Sequence, residues 1–130
     1  RRVLFRSPGT PTYVTNPACN GWCVEIHQAY EALSVGDLHG VIAHAAAAYD
    51  IPEMAGWLSI VVGCESQWDP NADNGGHGGL TQQAKVYWVD RSTAAGFPGA
   101  EVHEPVANVA TAAWMLAAGY PHSHWDCSPW

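Results

Sequence analysis

The run from Met54 to Cys64 is the most apolar stretch of the chain, and it ends on an acid, Glu65. Its eleven residues fall well short of the roughly 20 that a bilayer-spanning helix needs, so they have to be buried in a protein core. Met54, Trp57, Leu58, Val61 and Val62 recur at helical spacing and predict the inward stripe of a helix. Glu65 stands seven residues after Leu58 and continues that stripe. It also falls at the helix's C-terminal end. Burial and the partial negative charge of a helix C-terminus both disfavour a carboxylate, which predicts a raised pKa and a group able to donate a proton near neutral pH. The plain alternative is a helix-end glutamate in solvent.

At 130 residues, 48% hydrophobic and 13% charged, the sequence fits one globular domain. Val3-Leu4-Phe5 is too short for a signal-peptide core, so any targeting signal is expected to lie outside this sequence or be absent. Residues 1–7 resemble a translated sequencing-adapter remnant and are set aside as a non-native scar. Residues 8–18, rich in Pro and Thr, extend residues 1–7 into an N-terminal arm over 1–18, and residues 19–130 form the domain. The chain is expected to be a piece of something longer. Residues 8–130 carry twelve acids against two cations, Lys85 and Arg91, for a formal charge of −10. Such a surface repels nucleic acid and anionic membranes, and it does not favour an anionic cell wall either.

The remaining periodicity is helical. Asn20 is placed to cap a helix over Trp22–Ser34 that Gly36 ends. Asp37 starts a second, with Leu38, Val41, Ile42, Ala45 and Tyr49 on one face. Pro52 suits the first turn of a third. Asp69 to Gly79, with its glycines and turn formers, reads as loop with a small hairpin. A further helix is predicted over Gln83–Ala95. The last runs from Pro105 to before Gly119, burying Val106, Val109, Ala110, Ala113, Trp114 and Ala117. The fold class is mainly α, a single domain with a small loop or β-hairpin after the helix that carries Glu65. Four cysteines allow three pairings. Cys19–Cys23 with Cys64–Cys127 is preferred, and four buried free thiols are the alternative.

Residues 65–82 read Glu-Ser-Gln-Trp-Asp-Pro-Asn-Ala-Asp-Asn-Gly-Gly-His-Gly-Gly-Leu-Thr-Gln. This segment resembles the signature of soluble lytic transglycosylases and goose-type lysozymes, carried by Glu65, Ser66, Trp68, Asp69, Pro70, Ala72, Gly79, Leu80 and Gln82. Glu104 to Asn108 and Ala112-Ala113-Trp114 look like the closing helix of that family, and Gly119 through Trp125 resembles the ending of its phage and actinobacterial members. The resemblance runs from about Asp37 to Cys127 and implies a lysozyme-like fold. It further implies cleavage of the β-1,4 bond between N-acetylmuramic acid and N-acetylglucosamine in peptidoglycan, without cofactor or metal. Glu65 would be the acid/base, Ser66 would fix its side chain, Gln82 would bond the sugar, and Gly79 would let backbone approach the glycan. Tyr87, Asn108 and His77 are further candidates for substrate contact, each set against packing or an exposed loop. The late tyrosine motif of the family has no clear counterpart here. The implied setting is extracellular, periplasmic or virion-associated (phage tail or endolysin), as a monomeric domain acting on glycan strands.

A hydrolase needs a second carboxylate roughly 6.5–9.5 Å from the acid if it inverts. Asp73 and Asp90 are the candidates. A lytic transglycosylase needs none, and the sequence leans that way. Trp57 and Trp114 fit buried faces, while Trp68, Trp88 and Trp125 are candidates to line a saccharide groove. Two rivals remain: a metal site built from the cluster His122, His124, Asp126 and Cys127, with His77 and His103 elsewhere in the sequence, and a non-catalytic glycan-binding or virion structural module.

Overall fold

The computed structural model describes residues 21–130. The expected arm over 1–18 with its scar, the Asn20 cap and Cys19 lie outside the described residues. Helix α1 (Gly21–Ser34) buries Ile26 and Ala29. Asp37 caps α2 (Leu38–Ala48) by accepting a hydrogen bond from the Gly40 N–H. α2 buries Val41, Ile42, Ala45 and Ala46, whereas Leu38 and Tyr49 at the two ends of the expected stripe are half-buried. Pro52 opens a 3-10 turn, Pro52–Met54, and α3 (Ala55–Ser66) follows directly. Trp57, Leu58, Val61 and Val62 of α3 are buried, as the spacing predicts.

Past Ser66 the chain reverses through two left-handed residues, Gln67 (φ 53°) and Trp68 (φ 64°). This turn folds the Trp68 indole back over α3. Its Nε1 lies 3.1 Å from where a Cβ on Gly63 would stand, so a larger residue at 63 would have to push the ring away. The glycine-rich segment then forms a small antiparallel ladder. Strand β1 (His77–Gly78) pairs with β2 (Gln83–Ala84), His77 opposite Ala84 and Gly78 opposite Gln83. The helix expected from Gln83 therefore begins two residues later, as α4 (Lys85–Ala95). Gln83 and Ala84 go to the ladder instead, and buried Gln83 donates from Nε2 to Thr81 Oγ1.

Helix α5 (Pro105–Ala117) is capped by Glu104, which accepts from the Val106 and Ala107 N–H groups. Every residue from Val106 to Ala113 is buried, and so is Met115. A helix enclosed on all sides is the centre of its core, and α1, α2 and α4 pack around it. Ala107, Ala110, Ala112 and Ala113 keep its surface smooth enough for close neighbours. The last turn emerges from the core: Trp114 is half-buried and Ala117 exposed, not buried as their spacing suggests. The architecture is thus mainly α with a two-stranded hairpin after α3. No helix among the described residues is long and apolar enough to cross a membrane.

The C-terminal tail is fastened to α3. Cys64 and Cys127 form a disulfide with Cα atoms 5.8 Å apart, 63 residues apart in sequence. Trp125 is 4% exposed and meets Trp57 edge to face at 5.6 Å. Trp57 Nε1 donates to the Trp130 carbonyl. The other preferred pairing, Cys19–Cys23, lies outside the described residues through Cys19.

Candidate active site

Glu65 is the next-to-last residue of α3 and follows Cys64, whose disulfide brings the tail across the helix end. The Cys127 N–H donates to Glu65 Oε2 at 3.3 Å. The carboxyl is half-buried and opens into a cleft of about 280 Å³. Asn74, His77 and Gln82 wall the cleft from the loop and hairpin, Tyr87 and Arg91 from α4, and His124, Trp125 and Asp126 from the tail.

The electrostatics of this cleft favour a protonated Glu65. Burial pushes its pKa above the ordinary 4.5; the Cys127 N–H pulls it down, the Asp126 charge pushes it up, and His77 pulls it down again, in falling order. Loss of solvation dominates, as the apolar stripe predicts. His124 is held below its usual value, first by burial and then by its neighbours Arg91 and His77, which favours the neutral ring. The site can therefore present a neutral carboxyl as proton donor beside the negative charge of Asp126.

The residues singled out in the sequence divide between cleft and scaffold. Gln82, Tyr87 and His77 line the cleft with Glu65. The Gln82 Nε2 is spent on the Gly79 and Ala72 carbonyls, at 2.9 and 3.2 Å. Ser66 does not hold Glu65: it is buried and its hydroxyl donates to the Val62 carbonyl at 2.8 Å, the usual back-bond of a serine inside a helix. Gly79 (φ 83°) does not face the cleft either. A Cβ there would stand 2.2 Å from Asn108 Nδ2 and 2.7 Å from the Val102 carbonyl oxygen. Asn108 is fully buried in α5 and clamps this loop. Its Oδ1 accepts from the Thr81 N–H and hydroxyl, and its Nδ2 donates to the Gly78 and Val102 carbonyls. It has no bonding capacity left for a ligand.

Neither expected second carboxylate lines the cleft. Asp73 pairs with Lys85 at 2.6 Å and with His103 Nε2 at 2.9 Å. Its pKa is pulled down to about 2, first by the hydrogen bond from Lys85 and next by the Gly75 N–H. Asp90 is exposed and outside the lining residues. The acid that shares the cleft with Glu65 is Asp126. Of the three tryptophans expected in a groove, Trp125 is there. Trp88 is a core residue, 6% exposed, donating from Nε1 to the Ala100 carbonyl at 2.8 Å, and Trp68 packs on α3 and against the His39 ring at 4.3 Å.

The sequence marks Asp126 and His124 only as possible metal ligands. Among the described residues no three such side chains are grouped to hold a metal. Cys127 is in its disulfide, and His122 stacks on Trp57 and bonds the Trp130 carbonyl through Nδ1. The signal for Asp126 lay in the cysteines: if Cys127 joins Cys64, residue 126 has to come near residue 65. Arg91 was missed as a site residue, although it stands one helical turn after Tyr87 and is one of only two cations after residue 7. Comparison with known proteins finds no matching family model, no matching curated protein and no matching solved structure.

Proposed function

We propose that this chain cleaves peptidoglycan glycan strands, as a lysozyme-like enzyme of the lytic transglycosylase or goose-type kind, with Glu65 as the acid. One observation carries the reading: at the end of the apolar α3 stripe a carboxyl opens into a cleft, and burial raises its pKa. In this mechanism the protonated Glu65 gives its proton to the glycosidic oxygen as the muramyl C1–O bond breaks, and the bonding electrons leave with that oxygen. The muramyl 6-hydroxyl then attacks C1 and returns its proton to Glu65, leaving an anhydro sugar and a restored acid. No second base is needed. The positions of Asp73 and Asp90 away from the cleft support this route. The cleft, the disulfide and the absence of any spanning helix among the described residues are compatible with work on a cell wall outside the cytoplasm or on a virion.

Asp126 favours a second reading, hydrolysis, in which that carboxylate activates water. Purified peptidoglycan tests both. The wild-type chain is expected to clear a suspension, and Glu65→Gln to abolish clearing; persistent clearing by Glu65→Gln would overturn the assignment. Mass spectrometry then reads anhydro-muropeptides for transglycosylation or reducing ends, lost in Asp126→Asn, for hydrolysis. A wild-type chain that binds the strands and never cleaves them would be a glycan-binding or structural module.

A further inference from the structure

Arg91 is the arginine of the cleft that holds Glu65. Its guanidinium carbon lies 4.6 Å from the Tyr87 ring centre and 5.2 Å from that of Tyr120. Among the described residues no carboxylate pairs with it, and its Nη1 is buried without a hydrogen-bond partner. The contrast with Lys85 is direct, since Lys85 is tied to Asp73 at 2.6 Å. In a chain with twelve acids, this half-buried arginine meets none of those in the described residues within bonding distance. The two rings restrict its rotamers, so little freedom is lost when the planar fork meets a ligand. A carboxylate matches that fork with two parallel N–H···O bonds.

We propose that Arg91 is a carboxylate-binding subsite of the cleft, taking an acidic sugar substituent of the bound glycan. The inference rests on the glycan-cleaving reading and adds the feature it selects. Two groups on peptidoglycan have this chemistry: the lactyl carboxylate of muramic acid where no peptide is attached, and a free carboxylate of the peptide stem where one is. A strand of N-acetylglucosamine alone offers neither. Arg91 thus gives the cleft a means of preferring muramyl strands over uncharged ones.

The test is calorimetric binding to the uncleaving Glu65→Gln chain, with and without Arg91→Met. The probes are peptide-free muramyl strands, the same strands with their carboxylates converted to amides, and stem-bearing strands. Arg91→Met is expected to weaken binding of at least one acidic probe about tenfold and to leave the amidated strands unchanged. Loss on the peptide-free strands identifies the lactyl carboxylate; loss confined to stem-bearing strands identifies the stem. Arg91→Lys, which keeps the charge and loses the fork, should fall between, and it replaces Arg91→Met if that variant does not fold. Equal loss on acidic and amidated strands, or no loss on either, overturns the subsite while leaving glycan binding intact. If the Glu65→Gln chain binds none of the three probes, the glycan reading fails and the subsite fails with it.

Discussion

At the scale of single residues, Glu65 ties stability to function. Its pKa is higher in the folded chain than in the unfolded one, so the folded state binds more protons as pH rises past the ordinary value of 4.5. Stability falls across that interval and the penalty persists at neutral pH. Glu65→Gln is therefore expected to raise the melting temperature at pH 7, with the gain disappearing below pH 4.5. Calorimetric scans at the two pH values check it. Asp73 has the opposite sign. Its depressed pKa stabilises the hairpin above the ordinary aspartate value of 3.8 and ceases to do so as pH falls through about 2. Asp73→Asn should accordingly destabilise at neutral pH and not at pH 2, and it should leave cleavage in place because it lies outside the cleft.

At the scale of elements, the hairpin and its loop depend on one side chain of the central helix. Removing the Asn108 amide in Asn108→Ala strands the buried Thr81 N–H and the Gly78 and Val102 carbonyls. The cost is expected to be about 3 kcal/mol, measured by urea unfolding. A cost near zero together with lost activity would instead restore Asn108 as a substrate contact. None of this was legible in the chain. The spacing of α5 announces a buried helix, and one asparagine among alanines and valines carries no mark of which loop it will clamp. Gly79 was unreadable for the same reason: its missing side chain makes room for Asn108, whereas the family resemblance implied room for glycan. The start of α4 at Lys85 was also out of reach, because a two-residue strand is defined by its partner across the ladder. The helix over Ala55–Ser66 was legible, since its period and flanking signals are local.

At the scale of the whole molecule, the site is completed by closing the tail onto α3. A disulfide spanning 63 residues is expected to contribute about 4 kcal/mol through the unfolded chain's entropy. Replacing both partners, Cys64→Ser with Cys127→Ser, followed by denaturant titration, should show that loss and should also lower cleavage, since the bridge holds Asp126 and the Cys127 N–H against Glu65 beside the Trp57–Trp125 contact. The acid was legible from one helix. The walls opposite it were not, because they depend on which cysteines join. Charge also acts at this scale. With −10 on residues 8–130, adsorption to an anionic wall should strengthen as salt rises and screens the repulsion; pelleting with purified wall across a salt series reads this. The most direct test of the central claim is carbon-13 NMR titration of the Glu65 carboxyl in the intact oxidised chain. A midpoint above 4.5 is expected, tracking the loss of peptidoglycan cleavage as pH rises. A midpoint at or below that value, or cleavage undiminished after the carboxyl has ionised, would contradict it.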